Sequence, residues 1–216
     1  MAILNVPQGQ QSFSYDCGIK ALQLLMAYYG EEVPYETLFK SVKHHKVYGI
    51  TNEGMVRLAR RHGFKPQQSN NGSLEDIKKH IREGDPVIVA FQAWADGKMK
   101  QADWKVAGIG DNEDYGHYAI VVGFQDGKVI FNDPVCFRRV WLTEQEFKNR
   151  WHADNEYGYA LVLKGMKPLK KDMEHIDKDD IKPTRIILDG HIKHKRRMNR
   201  IVNKRKPSNK ILSGLR

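Results

Sequence analysis

Residues 117–133 leave the chain little freedom. His117-Tyr-Ala-Ile-Val-Val-Gly-Phe124 is apolar at consecutive positions, so as a strand it is buried on both faces. Asp126-Gly127 follows, a dipeptide suited to tight hairpin turns, and Lys128-Val-Ile-Phe-Asn-Asp133 forms the returning arm. A hairpin without a polar face needs cover on two sides, and the upstream sequence has the helices to supply it. Ala21, Leu22, Leu25, Met26 and Tyr29 recur at helical spacing within residues 17–29, with Gly30 as the stop and Asp16 or Ser14 as the cap. Pro34 opens a short helix over 34–42. Asn52 caps a helix running to Arg61, with Met55, Leu58 and Ala59 facing inward. Ser73-Leu-Glu-Asp76 is a capping box for a helix ending near Gly84. Val87–Phe91 is a short buried strand, 143–151 a helix, and Tyr157–Leu163 a last strand. Helices first and antiparallel strands later predict an α+β fold.

Charge divides the chain in two. Residues 1–165 carry 20 Lys/Arg and 20 Asp/Glu, whereas 166–216 carry 16 and 6, so the net +10 belongs to the C-terminal segment. The expected organisation is therefore one neutral domain, 1–165, and a basic tail, 166–216, partly disordered or helical. From Gly190 onward no acidic residue occurs. Lys193, Lys195, Arg196, Arg197, Arg200, Lys204, Arg205 and Lys206 give residues 190–216 a salt-dependent attraction to nucleic acid, a ribosome or another anionic surface. A merely solvated tail is the plain alternative. No apolar run of about 18 residues is present to form a transmembrane segment. Met1–Pro7 has neither the basic nor the apolar region of a secretory signal, so the expected compartment is the cytoplasm.

Only Cys17 and Cys136 occur, too few for a disulfide framework or a zinc ribbon, and no metal or cofactor is expected. Cys17 begins the first helix, where the positive end of the helix dipole favours a thiolate, and Gly18 beside it leaves room for an approaching carbonyl. A thiolate nucleophile needs a base, and His117 stands apart from the other eight histidines because it opens a buried strand at the mouth of a long irregular loop, 92–116. His152, after Trp151 near a helix end, fits a structural role better. Asp133, at the end of the paired strand, is the candidate orienter of the imidazole. These two share a sheet face only if the hairpin is bulged. A symmetric two-residue turn on Asp126-Gly127 pairs 117 with 136 and separates them. A three-residue loop, Gln125-Asp126-Gly127, with Gly127 left-handed, pairs 117 with 135 and 119 with 133. The catalytic arrangement therefore predicts a bulge at Gly127. The Cys17 backbone N–H is one oxyanion donor, and Gln8, Gln10 and Gln11 are all available as a second. Trp94 and Trp104, on the 92–116 loop, suit a lip over the cleft or packing on the domain surface.

Gln11-Ser-Phe-Ser-Tyr-Asp-Cys17-Gly18, with Ala21-Leu22 and Tyr28-Tyr29-Gly30, resembles the opening of the bacteriocin-processing (double-glycine leader) cysteine peptidases and their stand-alone relatives. Gly116-His117-Tyr118 and Asn132-Asp133-Pro134 resemble that family's His and Asp segments, and Gly84–Val89, Phe147 and Arg150-Trp151-His152 also fit. The likeness spans about residues 6–163. It implies a papain-like fold and thiol proteolysis of a peptide or protein, with Gln11 as oxyanion residue, Cys17 as nucleophile, His117 as base and Asp133 as its orienter. Attack by the thiolate, protonation of the leaving amine by His117, and hydrolysis of an acyl-enzyme are the implied steps. Exporter-linked members also carry a membrane domain and an ATPase; this sequence has neither, and its basic tail lies outside the family pattern. The same catalytic set also serves amidases, isopeptidases and acyl transferases. A scaffold domain that binds nucleic acid or the ribosome through its tail is the reading from a different class.

Overall fold

The computed structural model describes residues 3–164, apart from 47–48, 95–99, 111, 113, 137–138 and 154–155. The basic tail, 166–216, lies outside the described residues. In chain order the elements are α1 (Cys17–Tyr28), α2 (Tyr35–Ser41), α3 (Asn52–Arg61), β1 (Lys65–Ser69), α4 (Leu74–Arg82), β2 (Val87–Gln92), α5 (Gln101–Trp104), β3 (Gly116–Gln125), β4 (Lys128–Asn132), β5 (Arg139–Thr143), α6 (Glu144–Arg150), β6 (His152–Ala153), β7 (Glu156–Tyr157) and β8 (Ala160–Lys164). Six strands form one antiparallel sheet in the order β1-β8-β2-β3-β4-β5. Helices combined with one antiparallel sheet make this an α+β fold, with strands interleaved among the helices from β1 onward.

The apolar hairpin lies inside this sheet, with β3 between β2 and β4. Every residue of β2 is buried, as are Ala119–Phe124 of β3 and Val129–Asn132 of β4. Ile19, Ala21, Leu22, Leu25 and Met26 of α1 are fully buried, and α1 packs against β3. Phe147 of α6 packs on Phe91 and Phe131, whose rings stack at 5.3 Å. Each fully buried side chain of this size contributes about 1.5–3 kcal/mol.

Local signals set most helix boundaries. Ser73 and Asp76 form the expected reciprocal capping box on α4, and Thr143 with Glu146 forms another on α6. Two cap assignments need correction. Thr51, not Asn52, caps α3 by accepting the Gly54 N–H at 3.1 Å, while Asn52 turns its Oδ1 to the Tyr118 hydroxyl. Asp16 occupies the cap position of α1 without capping it, because its carboxylate is engaged elsewhere. The last strand is also broken: Gly158 takes φ +68° and separates β7 from β8. The edge strand β1 and the helix α5 carry too weak an apolar pattern to be read in advance; β5, with Val140 and Leu142 buried on either side of Trp141, carries the pattern and is an addition to the strands expected. β1, with sequence Lys-Pro-Gln-Gln-Ser, is mostly exposed and pairs only with β8, an edge position that tolerates Pro66.

The hairpin combines both arrangements considered for it. Asp126 and Gly127 have φ +49° and +71°, and Gln125 pairs with Lys128, so the turn is a two-residue loop rather than the three-residue loop with Gly127 in a bulge. The extra residue lies further along β3: Val121 faces Phe131 and Gly123 faces Ile130, leaving Val122 unpaired. Its carbonyl accepts the Leu4 N–H at 2.8 Å, so the N-terminal segment satisfies the group that the ladder omits. Beyond the bulge, Ile120 pairs with Asn132, and the same register sets Ala119 opposite Asp133.

Candidate active site

Cys17 is the first residue of α1, His117 the second of β3, and Asp133 immediately follows β4. The register beyond Val122 puts His117 and Asp133 on one sheet face, and their side chains meet: His117 Nε2 lies 2.8 Å from Asp133 Oδ1. The imidazole also hydrogen-bonds the Cys17 thiol. With Nε2 committed to Asp133, Nδ1 is the ring nitrogen left to partner the sulfur. Phe91, directly across the ladder from His117, holds the ring edge-on at 6.0 Å. His117 is 9% exposed and Asp133 0%, so solvent screens little of the pair's interaction.

Electrostatics favour the charged forms. Burial alone pushes the His117 imidazolium toward deprotonation, but the charges and hydrogen bonds of Asp133 and Cys17 outweigh it and raise His117 to about 10. Burial likewise opposes ionisation of Asp133, yet His117, the Val135 N–H and the Trp94 indole hold it below its usual value. Cys136 lies two residues beyond Pro134. Burial first, then the Asp133 charge, push its thiol up to about 12, so it is a poor nucleophile where Cys17 has a basic partner.

The segment before Cys17 is tied down from two sides. The Gln11 N–H donates to the Pro134 carbonyl at 2.7 Å, joining it to the Asp133 segment, and Gln11 Nε2 donates to the Phe13 carbonyl at 2.6 Å. Asp16, fully buried, accepts the Ser12 and Phe13 N–H groups at 3.0 Å each, and the Tyr35 hydroxyl donates to it as well. Asp16 thus folds residues 11–17 into a fixed loop, a role not apparent from its place before a helix. Gln10 Nε2 donates to the Val135 carbonyl at 3.3 Å; Gln8 and Gln10 are exposed, whereas Gln11 is buried.

Gly18 does not open space for a substrate. A Cβ there would lie 2.6 Å from Ile50 Cγ2 and 3.0 Å from Tyr118 Cδ2, so the missing side chain lets α1 approach the sheet and α3. Trp104 is not a lip. It is 3% exposed, packs on Tyr115 and carries the Arg150 guanidinium 3.9 Å above its ring. Trp94, at the end of the buried strand, donates its indole N–H to Asp133 Oδ2 at 2.6 Å. Its place after β2 gave no sign of that contact. His152 is structural, its Nε2 2.8 Å from the Trp104 carbonyl. His62 and His80 lie near Glu31 and Glu83 at 3.7 and 3.8 Å. His80, Glu83 and Asp85 bring ligand atoms within 4.8 Å of one another. The Lys164 ammonium already sits against Asp85 and 3.6 Å from Glu83, with the Tyr29 hydroxyl also on Asp85. No helix among the described residues is long and apolar enough to cross a membrane.

The Peptidase_C39 like family matches residues 3–159. Three solved structures share the fold at low identity. A chain described as a C39-like peptidase from Bacillus anthracis is 19% identical, with a TM-score of 0.58 over 77% of this chain and 100% of that one. The double glycine motif protease from an AMS/PCAT transporter, solved with its leader peptide, is 19% identical, with a TM-score of 0.56 over 78% and 95%. The peptidase domain of Streptococcus ComA is 21% identical, with a TM-score of 0.54 over 74% and 98%. No curated protein matches the sequence.

Proposed function

Because the chain belongs to the C39-like peptidase family and is a cysteine peptidase of papain-like fold, we propose that it hydrolyses peptide bonds through Cys17, His117 and Asp133 by way of an acyl-enzyme. The observation that carries this reading is the unbroken chain of contacts from a fully buried carboxylate, through an imidazole, to a thiol at a helix start. Asp133 holds the imidazolium, and the imidazolium holds the Cys17 thiolate. Attack on a peptide carbonyl forms a carbon–sulfur bond and places negative charge on the carbonyl oxygen. The Cys17 N–H and the Gln11 side-chain amide are the proposed donors to that oxygen. The burial of Gln11 and its backbone tie to Pro134 support its role. As the tetrahedral species collapses, the carbon–nitrogen bond breaks and His117 Nδ1 gives its proton to the departing amine. The neutral imidazole then takes a proton from water as the water attacks the thioester, which breaks the carbon–sulfur bond, releases the acid and restores the thiolate–imidazolium pair.

The substrate class is a peptide or protein. One structural neighbour is a double glycine motif protease held with a leader peptide, so peptides carrying that motif are sensible first substrates. The test combines iodoacetamide labelling, located by mass spectrometry, with amine release from a peptide library. Labelling at neutral pH and amine release should both vanish in Cys17→Ala and persist in Cys136→Ala. Labelling retained in Cys17→Ala and lost in Cys136→Ala overturns the assignment. Incorporation of an added amine in place of hydrolysis would transfer the same residues to acyl-transfer chemistry.

The basic segment 166–216 is proposed as an appendage to this domain that meets an anionic surface. Its support is the confinement of the whole +10 to those residues. Filter binding to RNA across salt concentrations, with and without residues 186–216, tests it; unchanged affinity on truncation removes the role.

A further inference from the structure

Asp133 has more donors than an orienting carboxylate requires. Its Oδ1 accepts from His117 Nε2 and from the Val135 N–H, both at 2.8 Å. Its Oδ2 accepts from the Trp94 indole N–H at 2.6 Å, the shortest of the three. A carboxylate held only through Oδ1 could swing about its side-chain torsion and present either oxygen to the imidazole. A donor on Oδ2 removes that freedom and replaces the water that a 0% exposed anion has lost. Trp94 is itself fixed for this contact. Its backbone takes φ +44°, which non-glycine residues adopt only where their surroundings impose it. The preceding Ala93 N–H is pinned to the Tyr115 carbonyl at 3.0 Å, and the indole stands edge-on to Phe91 at 6.0 Å, the same ring that braces His117.

We propose that Trp94 is a positioning residue of the active site: its indole N–H locks the Asp133 carboxylate so that Oδ1 holds His117 Nε2 and leaves Nδ1 to Cys17. This rests on the reading of Cys17, His117 and Asp133 as the catalytic set. The titratable groups around Asp133 are His117 on β3, Cys17 on α1 and Cys136 in its own segment. Losing the indole N–H frees the carboxylate to turn away from His117, so the imidazolium is held less well. The Cys17 thiolate then loses part of the positive charge that stabilises it and is protonated at higher pH as the solution is acidified.

The test is the rate of Cys17 alkylation by iodoacetamide against pH in the full chain, read from the Cys17 peptide by mass spectrometry. W94F keeps the ring on Phe91 and deletes the N–H. It should move the acid limb up by about one pH unit, which lowers the rate about tenfold at pH values on that limb. In a D133N background, W94F should change the rate by less than about twofold, because its effect passes through the carboxylate. A profile that overlays wild type, or an equal loss in both backgrounds, overturns the inference. A second readout needs no change at Trp94. In ¹⁵N-labelled protein, one of the four Trp indole N–H signals should move and lose exchange protection in D133N. No response from any indole also overturns it. If D133N alkylates like wild type, the catalytic reading itself falls; if D133N is slow and W94F is normal, only the role of Trp94 falls.

Discussion

Gly18→Ala separates packing from catalysis at the residue beside the proposed nucleophile. In the first turn of α1 an alanine favours the helix by up to about 1 kcal/mol. Against this stands the added methyl, 2.6 Å from Ile50 Cγ2 and 3.0 Å from Tyr118 Cδ2. Ile50 is β-branched and 2% exposed, and Tyr118 is held by its hydroxyl on Asn52 at 2.6 Å, so neither yields freely. Overpacking costs about 1–3 kcal/mol, and a 2.6 Å contact with a rigid neighbour belongs to the upper half of that range, which leaves a net loss of about 1–2 kcal/mol. For a domain of this size that lowers the melting temperature by about 2–8 °C, measurable by calorimetry. Ile50→Ala deletes the methyl group in the way. The double variant should therefore be more stable than the sum of the two single losses predicts, by about 1 kcal/mol. A Gly18→Ala protein that melts with wild type while losing peptide cleavage would refute the packing argument and restore the view that Gly18 makes room for substrate.

Other consequences concern pH and the loop before Cys17. The folded-state value of His117, about 10, lies above the unfolded value of about 6.5. Its contribution to stability is therefore complete below about pH 6.5 and lost as pH rises through about 10. Urea midpoints measured across that window should decline in wild type and decline less in Asp133→Asn. Asp133 is depressed in the folded state, so its own contribution is present above the ordinary carboxylate value and lost as pH falls through the lower folded one. Asp16→Ala orphans the Ser12 and Phe13 N–H groups and the Tyr35 hydroxyl. It should cost about 2–4 kcal/mol in urea unfolding, against about 1 kcal/mol for Tyr35→Phe. Gly127→Ala places a Cβ on a residue at φ +71° and should cost about 1 kcal/mol with no change in Cys17 alkylation of the folded protein.

What could be read from the chain were features decided within a few residues. The apolar period of α1, the Ser73–Asp76 box, the Asp126-Gly127 turn and the two-sided burial of β3 each rest on neighbours in sequence. Cys17 and His117 stood out because each occupies the edge of such an element. β1 was illegible because its residues, Lys-Pro-Gln-Gln-Ser, have no apolar alternation; it exists by pairing with β8. Trp104 and His152, remote in sequence, meet only in the tertiary structure.

The hairpin shows where the boundary falls. From sequence alone, a shared face for His117 and Asp133 demanded one extra residue in the strand pair, and it was expected at the turn, with Gly127 in the bulge. The turn itself stayed regular. The extra residue went to Val122, whose omitted carbonyl finds the Leu4 N–H at 2.8 Å from the far end of the chain. Read with His117 and Asp133 as partners, the sequence called for a bulge and named the side chains it had to align. The tertiary structure decided its position, because a buried carbonyl can leave the ladder only where the folded chain brings it another donor.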